Sequence, residues 1–408
     1  MTRVLLLCPE PLGHHHPAGI GIRFLEFARL LRAKGFHVTL LSRDGAKLEG
    51  YECGDLAPAP ILSASQKADT VIVQGHVAND FFACDVRVPT VVDLYDPFII
   101  ENLHYTDQRN GTYVHDHATL MRSLARGDFF LCASETQRIF YVGLLLAAGR
   151  VNPALFEADP ELNSLISIAP FGVPPANSIS RDERTRHSLF FGGIYDWYDP
   201  ILACEATAIA RKNIANLTLT FTYHPNSSLT PQSVFEETRS HVARSGYETF
   251  VHFIPWIPYE ERGISYASYD AAILTFPQSL ETDLSMRTRV FDYLWGGLPV
   301  ISSSARGTNA VIERYDCGVV VNENDASRFA AAIENTLTNE VRYQQMVTNA
   351  AGFVRDHQWE TLAQPLIDFL SDPKLETTRD SYRLRGFEIE SPPQSFVSRL
   401  KQKIGGGS

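Results

Sequence analysis

One segment of the chain, residues 281–302 with the sequence ETDLSMRTRVFDYLWGGLPVIS, constrains the fold more than any other. Its apolar residues between positions 290 and 295 recur at helical spacing, which predicts a helix over residues 287–295. Gly296 and Gly297 follow, and glycines are typical just past the end of a helix. A short apolar strand comes next, with Pro299 at its mouth, where a missing N–H matters least. The segment therefore predicts a loop, a helix and a buried strand in direct succession.

The loop before this helix is predicted to bind an anion. We expect the helix to begin near Ser285, a residue type that caps helices, so that the backbone N–H groups from Ser285 through Met286 to Arg287 face the loop. Free N–H groups and the positive end of the helix dipole favour an anion there. Arg287 and Arg289 lie in the first turn, where cations oppose the dipole, so we expect them to hold a diphosphate. The alternative is that one arginine pairs with an acidic residue of the loop and only orders it.

Composition argues against two classes of protein, those that bind nucleic acids and those that span a membrane. A chain of 408 residues with 44% hydrophobic content can bury two cores of ordinary size. Its net charge of −11 and its scattered basic residues argue against a nucleic-acid partner, because binding to phosphates needs clustered Lys and Arg. Arg399, Lys401 and Lys403 form one short basic cluster, which is either a solvated segment or a peripheral contact with a membrane surface. No apolar run approaches the length of a spanning helix, so we expect no integral membrane segment.

Six cysteines lie far apart, at positions 8, 53, 84, 132, 204 and 317. Cys8 and Cys132 fall in predicted core strands, a pattern typical of reduced thiols in the cytoplasm rather than of disulfides or a zinc site. Three adjacent histidines, His14 to His16, do not have the spacing of zinc ligands. We therefore expect a cytoplasmic protein without a metal site.

Short apolar runs alternate with helical patterns in both halves of the chain. In the first half, strands are predicted at residues 4–8, 38–42, 70–74, 90–94 and 129–133. In the second half, they are predicted at residues 188–191, 218–222, 251–254, 271–274, 300–302 and 318–321. Continuous apolar strands that alternate with helices indicate a parallel sheet covered on both faces. The fold class is therefore α/β, with two doubly wound Rossmann-like domains that face a cleft.

A stretch rich in Pro, Ser and charged residues separates the two halves. We predict a first domain over residues 1–172, a linker over 173–187, a second domain over 188–365, and a tail over 366–408 that crosses back towards the first domain. Parallel sheets place ligands at the carboxyl ends of their strands, so the loops after the strands hold the candidate site residues.

Four sequence motifs together resemble a known enzyme family. They are VLLLCP at residues 4–9, GIG at 19–21, PFGV at 170–173 and FDYLWGGLPVI at 291–301, of which the last is the most specific. These motifs resemble the GT-B glycosyltransferases, in particular the retaining type of family 4. The resemblance implies transfer of a sugar from a UDP, GDP or dTDP sugar to a glycan, lipid-linked or small-molecule acceptor. It implies neither a metal nor a further cofactor, because the leaving phosphate itself takes up the proton of the acceptor.

The chain departs from this family at two places. Asp292 stands where the family has the second Glu of a pair, so the resemblance implies that Asp292 binds the ribose hydroxyls. The first Glu would stand at Leu284, and the nearest one is Glu281, 292 − 281 = 11 positions before Asp292. We keep Glu281 as a catalytic candidate beside the donor sugar, together with Arg287. The loop at residues 192–200 lacks the Arg and Lys of the family, so the two arginines at the helix start are expected to replace them. These departures place the chain in a divergent subgroup.

Further donor contacts follow from the resemblance. Gly192 and Gly193 would let the backbone approach the phosphates closely, or would form a plain turn after a strand. Trp256 would lie against the base while the backbone of Ile257 reads its edge, or Trp256 would only pack in the core.

The first loop of the first domain supplies candidates on the acceptor side. Gly19 and Gly21 would open this loop towards the diphosphate and the acceptor, although two glycines also suit a plain turn into a helix. His16 of the same loop would contact the acceptor, or would lie in a solvated loop.

Two later loops of the first domain add further candidates. Asp93 and Asp96 end a strand where family members often carry a His or Asp that touches the sugar or the acceptor. Asp96 precedes Pro97 in a rigid turn that would aim it into the cleft, so we take it as a catalytic candidate and Asp93 as an acceptor contact. His76 follows another strand and is a further candidate for the acceptor.

Two other classes of function stay open at this point. A sugar-nucleotide epimerase or hydrolase would need an acid/base pair in the cleft, which Asp96 and His76 could supply. A non-catalytic sugar-nucleotide-binding module would suit the broken pair of acids. Product formation from donor and acceptor separates the glycosyltransferase from both.

Overall fold

A computed structural model describes the protein at residues 2–13, 17–104, 109–175, 187–223 and 232–378. Three sequence predictions lie outside these residues. They are the acceptor contact of His16, most of the linker, and the basic cluster near the C-terminus.

The first domain is built on a sheet of seven parallel strands. The strands are β1 (Arg3–Cys8), β2 (His37–Ser42), β3 (Glu52–Asp55), β4 (Thr70–Val73), β5 (Thr90–Asp93), β6 (Phe129–Cys132) and β7 (Ile166–Ile168). Their order across the sheet is β3-β2-β1-β4-β5-β6-β7, and every neighbouring pair is parallel. The order reverses between β1 and β4, and such a switch point opens a crevice at the carboxyl ends of the strands.

Helices cover both faces of this sheet. They are α1 (Gly19–Ala33), α2 (Pro58–Ser65), α3 (Val77–Ala83), α4 (Phe98–Glu101), α5 (Arg109–Arg126), α6 (Glu135–Ala147) and α7 (Pro153–Ala158), with a 3₁₀ turn at Asn102–His104. Two buried apolar clusters result, one on each face. Strand β1 shows the division, since Val4 and Leu6 belong to one cluster while Leu5 and Leu7 belong to the other.

The second domain repeats the plan with six parallel strands. These are β8 (Ser188–Gly193), β9 (Thr218–Tyr223), β10 (Val251–Pro255), β11 (Ala271–Leu274), β12 (Val300–Ser303) and β13 (Gly318–Val321). The order is β10-β9-β8-β11-β12-β13, which reverses between β8 and β11. Its helices are α8 (Pro200–Ala210), α9 (Ser233–Ser245), α10 (Arg262–Tyr266), α11 (Leu280–Leu284), α12 (Thr288–Trp295), α13 (Arg306–Tyr315), α14 (Ala326–Thr338) and α15 (Glu340–Asp356), with a 3₁₀ turn at Tyr259–Glu261.

The α/β class with two Rossmann-like domains is confirmed. The sequence analysis missed strands β3 and β7 for different reasons. Strand β3 is an edge strand with the sequence ECGD, so it carries no apolar run. Strand β7 has three residues, which is too short to show a period of two.

The chain returns to the first domain after α15. Helices α16 (Trp359–Leu362) and α17 (Gln364–Ser371) pack there. The Trp359 ring meets the ring of Phe171 edge-on, with 4.7 Å between centroids, and the Phe369 ring stacks on that of Phe129 at 4.7 Å. Val173 and Gln358 form an isolated parallel bridge, so the outgoing and returning passes of the chain lie side by side.

Helix α1 is tied to β5 by a buried ion pair. Arg23 Nε donates to Asp93 Oδ2 at 2.6 Å and Arg23 Nη2 donates to Asp93 Oδ1 at 3.1 Å, and both side chains are completely buried. The Arg23 Nη1 atom donates to the carbonyl of Pro170 at 2.9 Å. The guanidinium also lies over the rings of Phe27 and Tyr95. A bidentate pair with its remaining donor satisfied is the arrangement in which a buried charge is tolerated.

We expect Arg23→Met to lower the free energy of unfolding by about 3–5 kcal/mol, because the Asp93 carboxylate would stay buried without its partner. Urea unfolding at equilibrium measures this loss. Arg3→Met is the matched control, since Arg3 pairs with Asp69 through side chains that are 54% and 39% exposed. That variant should unfold at nearly the same urea concentration as the wild type, because an exposed ion pair contributes little. Equal losses in the two variants would contradict the stabilising role of the buried pair.

Candidate functional site

A cavity of about 310 Å³ lies between the two domains, at the carboxyl ends of both sheets. The first domain lines it with Glu10, Pro11, Ala18, Gly19, Ile20, Ile22, Tyr95, Asp96, Glu101 and Phe171. The second domain lines it with Tyr195, Trp197, Tyr198, Trp256, Arg262, Ser285, Met286, Arg287, Thr288, Arg289 and Asp292. The position is the one that the rule for parallel sheets predicts.

Helix α12 begins at Thr288 and not near Ser285, which corrects the predicted start. The segment expected to be a loop holds the short helix α11, whose cap Ser279 accepts a hydrogen bond from the backbone N–H of Thr282. Ser285 ends α11 in an extended conformation. The first turn of α12 has no side-chain cap, which leaves the backbone N–H groups of Thr288 and Arg289 for a ligand, whereas the N–H of Ser285 already donates to the carbonyl of Glu281.

The Arg289 guanidinium is buried and makes no direct ion pair among the described residues, although its charge acts on Asp292, three positions along the same helix. Its side chain is 9% exposed and lines the cavity, and it makes no ion pair with any described residue. Its neighbours are the ring faces of Tyr195 and Trp256, at 5.2 and 5.1 Å from the guanidinium carbon. Aromatic faces attract a cation but do not neutralise its charge. A buried, unneutralised cation beside a free helix start favours an anionic ligand.

The two glycines that end β8 make room for this arginine. A Cβ atom on Gly192 would lie 2.2 Å from Arg289 Nη1, and one on Gly193 would lie 2.8 Å from Arg289 Nη2 and 2.6 Å from the Trp256 ring. The backbone N–H of Gly192 donates to the Tyr293 hydroxyl at 2.7 Å. Neither glycine lines the cavity. In the structure the group that approaches these glycines is the guanidinium, so the predicted approach of a phosphate to their backbone stays a prediction.

Arg287 has the role that the sequence analysis gave as the alternative. Its Nη2 atom donates to Glu281 Oε2 at 2.6 Å, and both side chains are buried. The pair joins helix α11 to the start of α12. Arg287 lines the cavity, whereas Glu281 does not. The positive charge that Arg287 presents to the cavity is therefore already offset by Glu281 behind it.

Asp292 faces the cavity from the second turn of α12. Its Oδ2 atom accepts a hydrogen bond from Arg262 Nη1 at 2.7 Å, and both side chains are buried. Burial raises the pKa of Asp292, while Arg262 opposes that shift. The Oδ1 atom makes no hydrogen bond with the described residues, which leaves it open to a hydroxyl group.

The loop after β10 contributes an aromatic wall. Trp256 lines the cavity and lies over the guanidinium of Arg262 at 5.3 Å as well as that of Arg289. Ile257 is half-buried behind it and does not line the cavity, and its carbonyl accepts a hydrogen bond from Arg262 Nε at 3.5 Å. Of the two residues predicted to meet the base, the structure thus brings only Trp256 to the cavity.

Asp96 lines the opposite wall together with Glu101 of α4, a residue that the sequence analysis missed. Burial raises the pKa of Asp96 to about 6 and that of Glu101 well above its usual range, and the nearby charge of Asp96 raises the pKa of Glu101 further. The Ser285 hydroxyl donates to Glu101 Oε1 at 3.2 Å from the second domain. Only the fold reveals Glu101, because it lies in a short helix without a motif.

Glu10, also missed, holds the first loop in place. Its Oε2 atom accepts hydrogen bonds from the backbone N–H groups of Ala18 and Gly21, at 3.1 and 2.8 Å. The carboxylate caps α1, whose own cap position carries no capping side chain. Gly21 therefore lies behind Glu10, where a Cβ would be 2.7 Å from Oε2, and only Gly19 lines the cavity. Burial raises the pKa of Glu10 to about 7.

The structure corrects two acceptor contacts. Asp93 uses both carboxylate oxygens in the buried pair with Arg23, and its side chain does not reach the cavity. His76 pairs through Nε2 with Asp116 at 2.9 Å and stacks on His115, also away from the cavity. An acid/base pair of Asp96 with His76, which an epimerase or hydrolase would use, is therefore not assembled here.

The described residues contain no group of three or more His, Cys, Asp or Glu side chains arranged to hold a metal ion. Among those same residues, no helix has both the length and the apolar character needed to span a membrane.

We expect Glu10→Gln to change how stability depends on pH. The pKa of Glu10 is about 7 in the folded state and 4.5 ordinarily, so the folded protein binds this proton more tightly than the unfolded chain does. The stability that the bound proton contributes is lost as the pH rises from 4.5 to 7. Relative to the variant, the wild type should lose on the order of 2 kcal/mol of unfolding free energy between those pH values. Urea unfolding at a series of pH values measures the difference. Glu237→Gln, at an exposed residue of α9, is the control and should follow the wild type. Parallel curves for wild type and Glu10→Gln would contradict the shift.

Comparisons with known proteins bear on the family and the fold. Residues 187–339 match the family model described as glycosyl transferases group 1. A search of curated proteins finds no match.

Three solved structures illustrate the likeness in fold. HepE from Anabaena, in complex with UDP-glucose, is similar with a TM-score of 0.68 and 15% identity, over 91% of this chain and 100% of that one. Sucrose-phosphate synthase from Thermosynechococcus elongatus has a TM-score of 0.64 and 15% identity, over 91% and 98%. WaaG, a glycosyltransferase involved in lipopolysaccharide biosynthesis, has a TM-score of 0.64 and 14% identity, over 90% and 100%. Residues 187–339 thus match the family of glycosyl transferases group 1, and the chain has the two-domain GT-B fold of these structures.

Proposed function

We propose that the protein is a retaining, metal-independent glycosyltransferase that moves a sugar from a nucleoside diphosphate sugar to a hydroxyl group of an acceptor. The observation that carries the proposal is the Arg289 guanidinium, which is buried in the cavity wall without an acidic partner among the described residues. A diphosphate at this position would supply the missing negative charge.

The reaction breaks the bond between the anomeric carbon and the phosphate oxygen and forms a bond from that carbon to the acceptor oxygen. The proton of the acceptor hydroxyl passes to the oxygen of the leaving phosphate. Negative charge grows on the diphosphate as the bond breaks, and a fixed cation stabilises it. Arg289 and the uncapped start of α12 are placed to do so, and Arg287 adds a second guanidinium on the same wall.

The remaining donor contacts follow from the same placement. Asp292 Oδ1 would accept hydrogen bonds from the ribose hydroxyls, and Trp256 would lie against the base. Gly19 faces this region across the cavity, since a Cβ on it would lie 3.8 Å from the Thr288 hydroxyl. We propose UDP as the first nucleotide to test, because the solved structure of HepE was determined with UDP-glucose.

We also propose a cytoplasmic location. All six cysteines are free thiols, and four of them (Cys8, Cys132, Cys204 and Cys317) are buried. Free buried thiols are typical of a reducing compartment.

UDP at about 100 times its Kd should stabilise the wild type by about 2.7 kcal/mol, with or without EDTA. Arg289→Met keeps much of the side-chain volume and removes the charge, so we expect UDP affinity to fall by about tenfold to a hundredfold, the worth of a charge-assisted hydrogen bond. A thermal-shift titration of UDP measures both effects.

Arg306→Met is the control for this titration. Arg306 is 74% exposed and pairs with Asp283 at 3.2 Å, outside the cavity, so this variant should bind UDP like the wild type. Equal UDP affinity in Arg289→Met and wild type would refute the proposed role of Arg289. Loss of UDP binding in EDTA would refute the metal-independent site.

The product of transfer from UDP-α-glucose should be an α-glucoside, or α-glucose where water is the acceptor. The reason is that the acceptor must approach from the side of the leaving phosphate in order to give it a proton. Proton NMR of the anomeric signal in the first minutes of reaction identifies the product. An initial β-anomer would show that the enzyme inverts the anomeric centre.

A further inference from the structure

Three consecutive residues between α11 and α12 join the second domain to the first. The carbonyl of Leu284 accepts a hydrogen bond from Gln137 Nε2 at 2.9 Å, and the Ser285 hydroxyl donates to Glu101 Oε1 at 3.2 Å. Met286 packs against the main apolar cluster of the second domain and against one of the two clusters of the first. This segment leads directly into α12, so its contacts with the first domain bear on the placement of the arginines at the cavity wall.

The Gln137 carboxamide contacts both domains at once. Gln137 lies in the first turn of α6 and is completely buried. Its Oε1 atom accepts a hydrogen bond from the backbone N–H of Ala133 at 2.7 Å, while its Nε2 atom donates to the carbonyl of Tyr95 at 3.0 Å and to that of Leu284. Both N–H donors of the amide are therefore used. The reverse orientation of the amide would place its oxygen against two carbonyl oxygens, so these partners fix the orientation.

The two donors of Gln137 exceed what its own helix needs. Residues 134–137 have the sequence SETQ, the pattern of a capping box. The Ser134 hydroxyl accepts a hydrogen bond from the backbone N–H of Gln137 at 3.2 Å, and the Gln137 side chain reaches back to the N–H of Ala133. This motif requires only an acceptor at its last position, so a Glu would serve α6 equally well. The N–H donors of Gln137 serve contacts outside α6.

These two contacts lie beside the two walls of the cavity. The Tyr95 carbonyl belongs to the peptide bond before Asp96, and both residues line the cavity from the first domain. The Leu284 carbonyl ends α11, 289 − 284 = 5 positions before Arg289 of the second domain. One nitrogen atom of Gln137 lies within 3.0 Å of both carbonyl oxygens. Its position therefore sets the separation between these two parts of the site.

We propose that Gln137 is a positioning residue for the transfer, which holds the loop of Asp96 and the start of α12 at the separation that the reaction requires. This inference rests on the proposed glycosyl transfer and concerns the geometry of that same site. Gln137 does not line the cavity, so it acts through its two neighbours. The donor contacts do not depend on it directly, because Glu281 holds Arg287 and aromatic rings of the second domain hold Arg289. The rate of transfer, rather than the affinity for UDP, should depend on Gln137.

Hydrogen exchange of the full-length protein without ligand separates the two roles of Gln137. Gln137→Glu keeps an acceptor for the N–H of Ala133 but removes both donors, and Gln137→Met removes the donors without adding a charge. In both variants, peptides that cover residues 280–289 should exchange about tenfold faster than in the wild type, as expected for one lost buried hydrogen bond. The peptide that holds Ala133 should exchange faster in Gln137→Met alone.

Gln345→Glu is the matched control for these variants, because it makes the same change from amide to carboxylate. Gln345 is exposed on α15, and its Nε2 atom donates to Asn349 Oδ1 at 2.9 Å within the same helix. This variant should exchange at residues 280–289 like the wild type.

The release of UDP from UDP-glucose, with water as the acceptor, measures the effect on the reaction. At saturating UDP-glucose, Gln137→Glu and Gln137→Met should release UDP about tenfold more slowly than the wild type, while the Kd of UDP in a thermal-shift titration stays within about threefold. A weaker affinity for UDP with an unchanged rate at saturation would show that Gln137 supports only the donor site, and would overturn the inference.

The outcomes separate this inference from the proposed function. No thermal shift with UDP in the wild type would refute the proposed function itself. Beside a normal UDP shift, the role of Gln137 alone would be refuted if residues 280–289 exchange as in the wild type in both variants. A change in exchange that is confined to α6 would refute it in the same way.

Discussion

The candidate site depends on one buried guanidinium that has no direct ion pair in the described part of the chain. Arg289 lies between the faces of Tyr195 and Trp256, and the absence of a Cβ on Gly192 and Gly193 leaves it room. Each of the other buried arginines in this region has a carboxylate, whether Asp93, Asp292 or Glu281. Burying an ion alone costs several kcal/mol. The proposed binding of an anion therefore rests on this buried charge.

The paired arginines explain why that charge stays in place. The pair of Arg287 with Glu281 joins α11 to α12, and the pair of Arg262 with Asp292 joins α10 to the middle of α12. The helix that carries Arg289 is thus held at its start and along its length by two buried ion pairs. Breaking either one would leave a buried charge and shift the helix. These pairs position the site, and Arg289 is the group left for the ligand.

The sequence was sufficient for the architecture and for part of the site. Apolar strands alternating with helices report burial directly, so the two sheets were predicted, and so was the grouping of the two arginines at the start of α12. Side-chain pairing was not predictable in the same way. Asp93 and Glu10 are both acids at the end of a strand, and the sequence does not distinguish them. Asp93 pairs with Arg23, which lies 93 − 23 = 70 positions away, whereas Glu10 caps a helix beside the cavity. Glu101 has no motif, because contact across the domains defines its role.

The side-by-side passes of the chain at Val173 and Gln358 have a mechanical consequence. Where both chain passes between two domains run together, the domains can rotate about that place as about a hinge or pivot. Here the second domain lines the cavity with arginines, and the first domain lines it with carboxyl groups. A diphosphate bound to the arginines would place negative charge opposite the carboxyl groups of the first domain. Binding of the donor would therefore favour a wider separation of the two walls about this pivot.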